Sequence, residues 1–229
     1  MLEGILNDCS FNKARGVPLM TRKNSRRRGS DKHRRIIEAA IQVFARHGFY
    51  NSKVSEIARA AGVADGTIYL YFQNKDDILI CLFEEEMGKV LEKMRQALAN
   101  ETDPARKLER FALVHLKLVE DNQQLAEIIQ VEIRQSSKFM KEYKNDKFHE
   151  YLEIIASIIR EGQQKGLFRP DIIPGIAKRA FFGALDEMSR YWVLSPRRKY
   201  SIKEAAKQIS SYFLNGMLAP ADAGEKGSH

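Results

Sequence analysis

Residues 54–75 read V-S-E-I-A-R-A-A-G-V-A-D-G-T-I-Y-L-Y-F-Q-N-K, and this stretch decides the fold. A helix-turn-helix needs two short helices that cross closely at a sharp turn. Ala58 is small enough for the crossing, and Gly62 accepts the positive φ that the turn requires. The apolar residues that would hold the pair together fall on the facing sides: Ile57, Ala61, Val63 and Ile68. The spacing predicts a helix-turn-helix whose second helix covers about residues 65–72.

The second helix of this motif presents an outer face that would enter the major groove of DNA, where base edges are read and phosphates anchor the protein. Gly66 permits close approach, and hydroxyls are available along the helix, whereas Phe72 is expected in the core. Lys75, at the start of the next helix, would hold a phosphate with its charge and the helix dipole. We therefore predict these DNA contacts: Ser52, Lys53, Ala64, Asp65, Gly66, Thr67, Tyr69, Tyr71 and Lys75.

The remaining sequence predicts helices and no sheet, so the fold class is all-α. Asn74 and Asp103 are suited to cap helix starts, and Pro104 follows Asp103 as a first helical residue. Apolar residues recur at helical spacing from Asp31, and Gly48 stands where a left-handed cap would end that helix. Further helices are predicted at 75–100, 125–133, 148–159, 172–194 and 202–217.

Charge is concentrated at one end of the chain. Residues 1–77 hold 14 Lys plus Arg against 8 Asp plus Glu, whereas the net charge of all 229 residues is +8. Such a basic end is typical of proteins that bind polyanions, although short basic tails are often only solvated. We expect a flexible basic arm over residues 1–30, a DNA-binding domain over 31–77, a helical domain over 78–218 and a flexible tail over 219–229.

Several function classes lose support at this stage. Cys9 and Cys81 are too few for a disulfide framework or a zinc cluster. No stretch approaches about 18 consecutive apolar residues, so no membrane partner is expected. No catalytic motif and no metal-binding set is present. We expect a cytoplasmic protein that is not an enzyme and that has no metal and no cofactor.

Residues 31–77 resemble the DNA-binding end of the TetR family of bacterial transcriptional regulators. The resemblance rests on R-R-I-I-E-A-A-I-Q-V-F-A-R-H-G-F, on the helix-turn-helix, and on I-Y-L-Y-F-Q-N-K-D-D-I-L. It implies a homodimer in which the last two helices form a four-helix bundle with the same two helices of the partner copy. It also implies that a ligand-sensing domain follows the DNA-binding domain. Ala64 stands where many members have Ser or Thr. Asp65 is often Lys in relatives, so it either contacts a base or caps its helix.

The motifs E-I-R-Q-S at 132–136 and F-F-G-A-L-D-E-M at 181–188 resemble a narrower branch of the family. That branch represses fatty-acid degradation genes from a palindromic operator, and long-chain acyl-CoA releases it from DNA. Because an acyl chain needs an apolar tunnel with cations at its mouth, this resemblance implies a set of ligand-binding candidates: Phe83, Met87, Phe111, His115, Ile128, Val131, Arg134, Tyr151, Ile155, Phe182, Leu185 and Trp192. Taken singly, each apolar member is more typical of a core residue than of a pocket wall.

Some alternatives stay open. Arg106 and Arg110 are further candidates for the phosphates of CoA, but both also suit a solvated surface. His115 lies on the apolar face of its helix and is expected to be a hydrogen-bonded core residue rather than a metal ligand. The chain also fits a regulator of an efflux pump that responds to a different hydrophobic small molecule. A second hypothesis is a DNA-binding architectural protein without a ligand.

Overall fold

The computed structural model describes the backbone of residues 22–141, 143–195, 197 and 199–218. The predicted tail, and the predicted arm as far as residue 21, lie outside these residues. The all-α class is confirmed, because the elements of the described residues are helices. The β structure among these residues amounts to one isolated antiparallel bridge between Phe168 and Leu218. The helices are α1 (Arg22–Asn51), α2 (Val54–Ala61), α3 (Asp65–Ile68), α4 (Lys75–Leu98), α5 (Pro104–Asp121), α6 (Gln123–Gln130), a 3₁₀ helix (Glu132–Gln135), α7 (Ser137–Lys141), α8 (Asp146–Gln164), α9 (Pro174–Leu194) and α10 (Ile202–Met217).

Several helix boundaries differ from the prediction, and two of the differences lie in the DNA-binding part. Helix α1 already begins at Arg22, so residues 22–30 are helical rather than part of a flexible arm. Arg and Lys are good helix formers, and extending an existing helix avoids the cost of nucleation. Helix α3 is one turn long and ends at Ile68. The chain then tightens, because the Tyr71 amide donates to the Ile68 carbonyl at 2.9 Å.

The predicted caps are present. The Asn74 side chain accepts a hydrogen bond from the Asp77 amide at 2.9 Å, and the Asp103 side chain accepts one from the Ala105 amide at 2.9 Å. Gly48 has positive φ as expected, but its ψ of 157° is not the left-handed helical value. Helix α1 is therefore kinked at Gly48.

The described residues form two compact units. Unit 1 extends to Glu86 and also contains Glu127–Tyr143, and unit 2 consists of Met87–Ala126 together with the residues from Lys144 onward. We call Glu127–Tyr143 the linking segment. The predicted domain boundary at residue 77 lies within unit 1, because Ile78, Leu79 and Leu82 of α4 are fully buried.

The core of unit 1 is built from α1, α2, α3, the first half of α4 and the linking segment, whereas α5, α8, α9 and α10 pack against one another in unit 2. Within the described ranges, every helix is too short or too polar to span a bilayer.

Candidate functional site

The helix-turn-helix is closed as the sequence predicted. Gly62 adopts a left-handed conformation with φ 63° and ψ 41°, and the Val63 amide donates to the Ala58 carbonyl at 3.0 Å. Ala58 is completely buried at the crossing, as its small size requires. The Arg35 guanidinium of α1 donates to the Ala61 carbonyl at 2.5 Å and to the Gly62 carbonyl at 3.3 Å. The turn is therefore stabilised by the Arg35 side chain of α1 as well as by its own backbone hydrogen bonds.

The outer face of α3 and the turn after it is open. A Cβ built on Gly66 would have no atom within 4 Å, which fits the expected close approach to DNA. Tyr69 is 58% exposed, whereas Phe72 is 3% exposed and belongs to the core as predicted. Tyr71 is half-buried, with its ring 6.1 Å from the ring of His33. Tyr69 therefore has the more accessible ring.

The other predicted contacts on α3 are accessible to different degrees. Ala64 and Asp65 are exposed, and Thr67 is half-buried. Leu70 is 67% exposed beside them and was not among the predicted contacts. Its spacing of four residues from Gly66 is the signal that would have placed it on the same face.

Ser52 and Lys53, which were expected to contact the DNA backbone, differ in the structure. Lys53 is exposed, and its amide donates to the Glu56 carboxylate at 2.8 Å. This backbone hydrogen bond lowers the pKa of Glu56. Ser52 is 4% exposed, and its hydroxyl donates to the Gly48 carbonyl at 2.6 Å. The Ser52 hydroxyl is turned inward, so we do not include it among the contacts proposed below.

Lys75 binds the carbonyl end of α1. Its ammonium donates to the carbonyls of Phe49 at 2.6 Å, Tyr50 at 2.9 Å and Ser52 at 3.0 Å, and it lies 4.6 Å from the centre of the Phe49 ring. Partial burial lowers the pKa of Lys75, and Asp76 opposes the shift. An ammonium has three donors, so a phosphate contact by Lys75 would displace one of these carbonyls. The structure does not test that contact, and because it would cost Lys75 a hydrogen bond within the protein, we do not include Lys75 among the contacts proposed below.

Replacing Lys75 separates its two possible roles. We expect Lys75→Met to destabilise the protein by about 1–3 kcal/mol, because three carbonyls lose their donor and two of these hydrogen bonds are partly buried. We also expect the slope of log affinity for DNA against log salt to stay unchanged. Urea unfolding and DNA titrations at several salt concentrations measure the two quantities. Lys53→Met, at an exposed lysine that we expect to contact the DNA backbone, is the positive control and should lower the slope by about one. A slope that falls by about one would assign Lys75 to a phosphate.

The linking segment contacts the same part of unit 1. The buried Glu132 carboxylate accepts a hydrogen bond from the Phe49 amide at 2.6 Å. The Ser136 hydroxyl donates to Asp76 at 2.6 Å, and Lys138 pairs with Asp77 at 2.5 Å. Phe49 therefore bonds Glu132 through its amide and Lys75 through its carbonyl. Sequence reasoning missed these contacts, because the motif at 132–136 was noticed only as a resemblance.

The predicted ligand residues are divided between the two units. Phe83 and Ile128 are buried in unit 1, where the Phe83 ring lies 5.0 Å from the Phe139 ring. In the same unit Val131 is half-buried and Arg134 is exposed. The other predicted residues belong to unit 2 and are buried or half-buried there: Met87, Phe111, His115, Tyr151, Ile155, Phe182, Leu185 and Trp192.

Rings from α5, α8 and α9 meet inside unit 2. The Phe182 ring lies 5.7 Å from His115 and 5.0 Å from Phe148, and the Phe111 ring lies 5.0 Å from Tyr151. Unit 2 therefore holds an aromatic cluster that we call the ring cluster: Phe111, His115, Phe148, Tyr151 and Phe182.

Of the arginines considered for CoA, Arg106 and Arg110 are exposed, and Arg106 faces Asp103 at 3.8 Å.

His115 is hydrogen-bonded on both sides of its ring. The Ser189 hydroxyl donates a hydrogen bond to the Leu185 carbonyl at 2.8 Å, so it accepts a hydrogen bond from Nε2–H of His115 at 3.2 Å. Nδ1 is then the acceptor for the Tyr151 hydroxyl at 2.8 Å. Burial lowers the pKa of His115 to about 4, opposed by the charge of Asp186, and burial raises the pKa of Tyr151. His115 is thus neutral near pH 7 and ties α5 to α8 and α9.

The depressed pKa of His115 predicts a loss of stability in acid. The unfolded chain binds this proton below about pH 6.5, whereas the folded chain binds it only near pH 4. Stability therefore falls as pH drops through this window, by about 2 kcal/mol between pH 7 and pH 5. Urea unfolding at both pH values measures the loss. His115→Gln should lose about 2 kcal/mol less than wild type, while the exposed-site control His47→Gln should keep the full loss. Equal losses in all three proteins would contradict the assignment.

Comparison with known proteins agrees with this geometry. Residues 36–81 match the model of bacterial regulatory proteins of the tetR family, and residues 83–216 match the model of the YsiA-like protein C-terminal region. The chain belongs to the TetR family of DNA-binding transcriptional regulators.

Within that family it is similar to fatty-acid regulators. It is 37% identical to the fatty acid metabolism regulator protein of Bacillus subtilis over 81% of this chain and 95% of that protein. The fatty acid degradation regulator FadR of Bacillus halodurans has a TM-score of 0.74 at 39% identity, over 81% of this chain and 95% of its own. FadR of Bacillus subtilis in complex with stearoyl-CoA has a TM-score of 0.75 at 36% identity, over 80% and 98% of the two chains.

Proposed function

We propose that this protein is a cytoplasmic, homodimeric repressor of fatty-acid metabolism genes that long-chain acyl-CoA releases from a palindromic operator. The observation that carries the proposal is the similarity to FadR of Bacillus subtilis, whose structure is a complex with stearoyl-CoA, at 36% identity over 80% of this chain. A FadR relative also shares 39% identity. Similarity at this level spans both the DNA-binding part and the C-terminal part.

The exposed face of α9 supports a homodimer. Ile176 is 65% exposed and Leu194 is 58% exposed, and Ala180 and Gly183 lie between them at helical spacing on the open side. A Cβ on Gly183 would meet nothing within 4 Å. Exposed apolar side chains with small residues between them suit the close approach of a second helix. A second copy would thus pair α9 and α10 with their counterparts.

A dimer sets the geometry of the operator. Two copies of α3 related by a twofold axis would read half-sites about one helical turn, roughly 34–36 Å, apart. Ser52 and Lys75 are left out because their polar groups bond carbonyls within the protein. The other predicted contacts are exposed or half-buried, and we propose them as the DNA contacts: Lys53, Ala64, Asp65, Gly66, Thr67, Tyr69 and Tyr71. Each protomer would insert Tyr69 and Gly66 into the groove. The operator is then a palindrome, because the two reading surfaces are identical.

The ring cluster supports an apolar effector in unit 2. His115 is neutral near pH 7 and has both ring nitrogens bonded, so it adds no charge to the surroundings of Phe182. An acyl chain gains by burial among such rings, at about 0.8 kcal/mol for each CH₂ group removed from water. Arg134, which was predicted to hold the phosphates of CoA, is exposed in the linking segment of unit 1, and that contact stays a prediction.

Release requires that the effector prefers the protein state that does not bind DNA. Two parts of the chain join the units covalently: α4 runs through both, and the linking segment is bracketed in sequence by Ala126 and Lys144 of unit 2. We propose that acyl-CoA in unit 2 displaces these two parts, so that the copies of α3 no longer fit successive grooves. A coupling of about 1–3 kcal/mol would lower DNA affinity roughly 5- to 150-fold.

Fluorescence anisotropy of a labelled operator tests this proposal. The operator is first obtained by selection from random DNA with the full-length protein, and two protomers should bind each duplex. Oleoyl-CoA should then lower the affinity by 5- to 150-fold, while CoA alone and oleate alone should have much weaker effects. Phe182→Ala, which removes a ring at the centre of the cluster, should bind DNA normally but need more oleoyl-CoA for release. Leu167→Ala, which alters an exposed apolar side chain of unit 2, serves as the matched control.

Three other outcomes of this experiment would contradict the proposal in different ways. DNA binding that no acyl-CoA weakens would overturn the proposed effector and favour an architectural protein. Release by a bulky aromatic cation such as ethidium, without release by oleoyl-CoA, would favour the regulator of an efflux pump. Failure of the full-length protein to select any DNA would overturn the repressor itself.

A further inference from the structure

A single stripe of residues points outward from α3 and the turn that follows it. The backbone after Ile68 continues as a tight turn, since the Leu70 amide donates to the Thr67 carbonyl at 3.2 Å and the Phe72 amide donates to the Ile68 carbonyl at 3.0 Å. Ile68 and Phe72, four residues apart, are 1% and 3% exposed. The opposite side of this segment therefore carries Gly66, Tyr69 and Leu70.

Leu70 is an unusual member of this stripe. It is 67% exposed, more than Tyr69 at 58% and Met140 at 59%. Tyr69 can donate a hydrogen bond through its hydroxyl, but the Leu70 side chain has no donor or acceptor. Gly66, one helical turn earlier, has open space around it and lets the backbone come close to a partner. Leu70 would then be buried by whatever this stripe contacts.

The chemistry of the major groove restricts what Leu70 can contact there. Base edges in the groove present hydrogen-bond donors and acceptors, and the thymine C5-methyl is their apolar group. A leucine placed against an amino group or a carbonyl would remove its water without replacing the hydrogen bond, at a cost in affinity. Leucine against a thymine methyl buries apolar surface on both partners.

We infer that Leu70 reads the methyl group of one thymine in each half-site of the operator. The inference rests on DNA binding through α3, and it adds a base preference at one position of each half-site. Removing a buried methyl costs about 0.8 kcal/mol, which is about a fourfold loss of affinity per half-site. Because the operator is symmetric, the loss applies twice, to about fifteenfold.

Replacing thymine by deoxyuridine tests this contact, since the exchange deletes the methyl and keeps the hydrogen-bonding edge. Operators selected with the wild-type protein are scanned by exchanging one symmetric pair of thymines at a time. Wild type should lose about fifteenfold in affinity at one pair. Leu70→Ala should bind the thymine operator correspondingly more weakly and show no further loss with deoxyuridine at that pair. Met140→Ala, a similarly exposed apolar position in the same unit, should keep the wild-type pattern.

Three outcomes would overturn the inference. The first is a wild-type protein that binds the operator but is indifferent to deoxyuridine at every position. The second is a Leu70→Ala protein that keeps the full sensitivity to deoxyuridine. The third is a Leu70→Ala protein with unchanged affinity for the thymine operator. A wild-type protein that binds no DNA at all would instead refute the proposed repressor, so the two failures are distinguishable. Urea unfolding of both variants confirms that each is folded.

Discussion

Both polar groups of Phe49 are held by side chains from distant parts of the chain. The amide donates to Glu132 of the linking segment at 2.6 Å, and the carbonyl accepts from Lys75 of α4 at 2.6 Å. The preceding Gly48 has φ 74°, and a Cβ there would meet a Glu132 oxygen at 3.3 Å. This turn leads into α2, so the position of the helix-turn-helix within unit 1 depends on these two bonds.

Hydrogen bonds and an ion pair explain why the linking segment belongs to unit 1. Glu132, Ser136 and Lys138 each bond a residue of unit 1 outside the segment, while the chain on either side of the segment belongs to unit 2. Breaking a buried, charge-assisted bond is costly, so the segment has a well-defined attached state. An attached state that can be lost is what a regulator needs in order to have two DNA affinities.

Local features were predictable from the sequence, and long-range ones were not. Ala58, Gly62 and the caps at Asn74 and Asp103 act on neighbours a few residues away, so spacing alone identified them. The three hydrogen bonds of Lys75 and the bond of Glu132 to the Phe49 amide depend on partners 23 to 83 residues distant. The sequence also suggested a buried, hydrogen-bonded His115, but not its partners, Tyr151 and Ser189, which lie on other helices. Leu70 was missed because an apolar residue counts as core until its exposure is known.

Under the proposed function, an effector in unit 2 weakens the hydrogen bond between Glu132 of the linking segment and the Phe49 amide. Hydrogen exchange of the Phe49 amide, measured on the full-length protein with and without oleoyl-CoA, tests it most directly. The account predicts that saturating oleoyl-CoA speeds exchange at this amide at least about fivefold, in keeping with the coupling needed for release. Unchanged or slower exchange at Phe49, in a protein that oleoyl-CoA still releases from DNA, would contradict it.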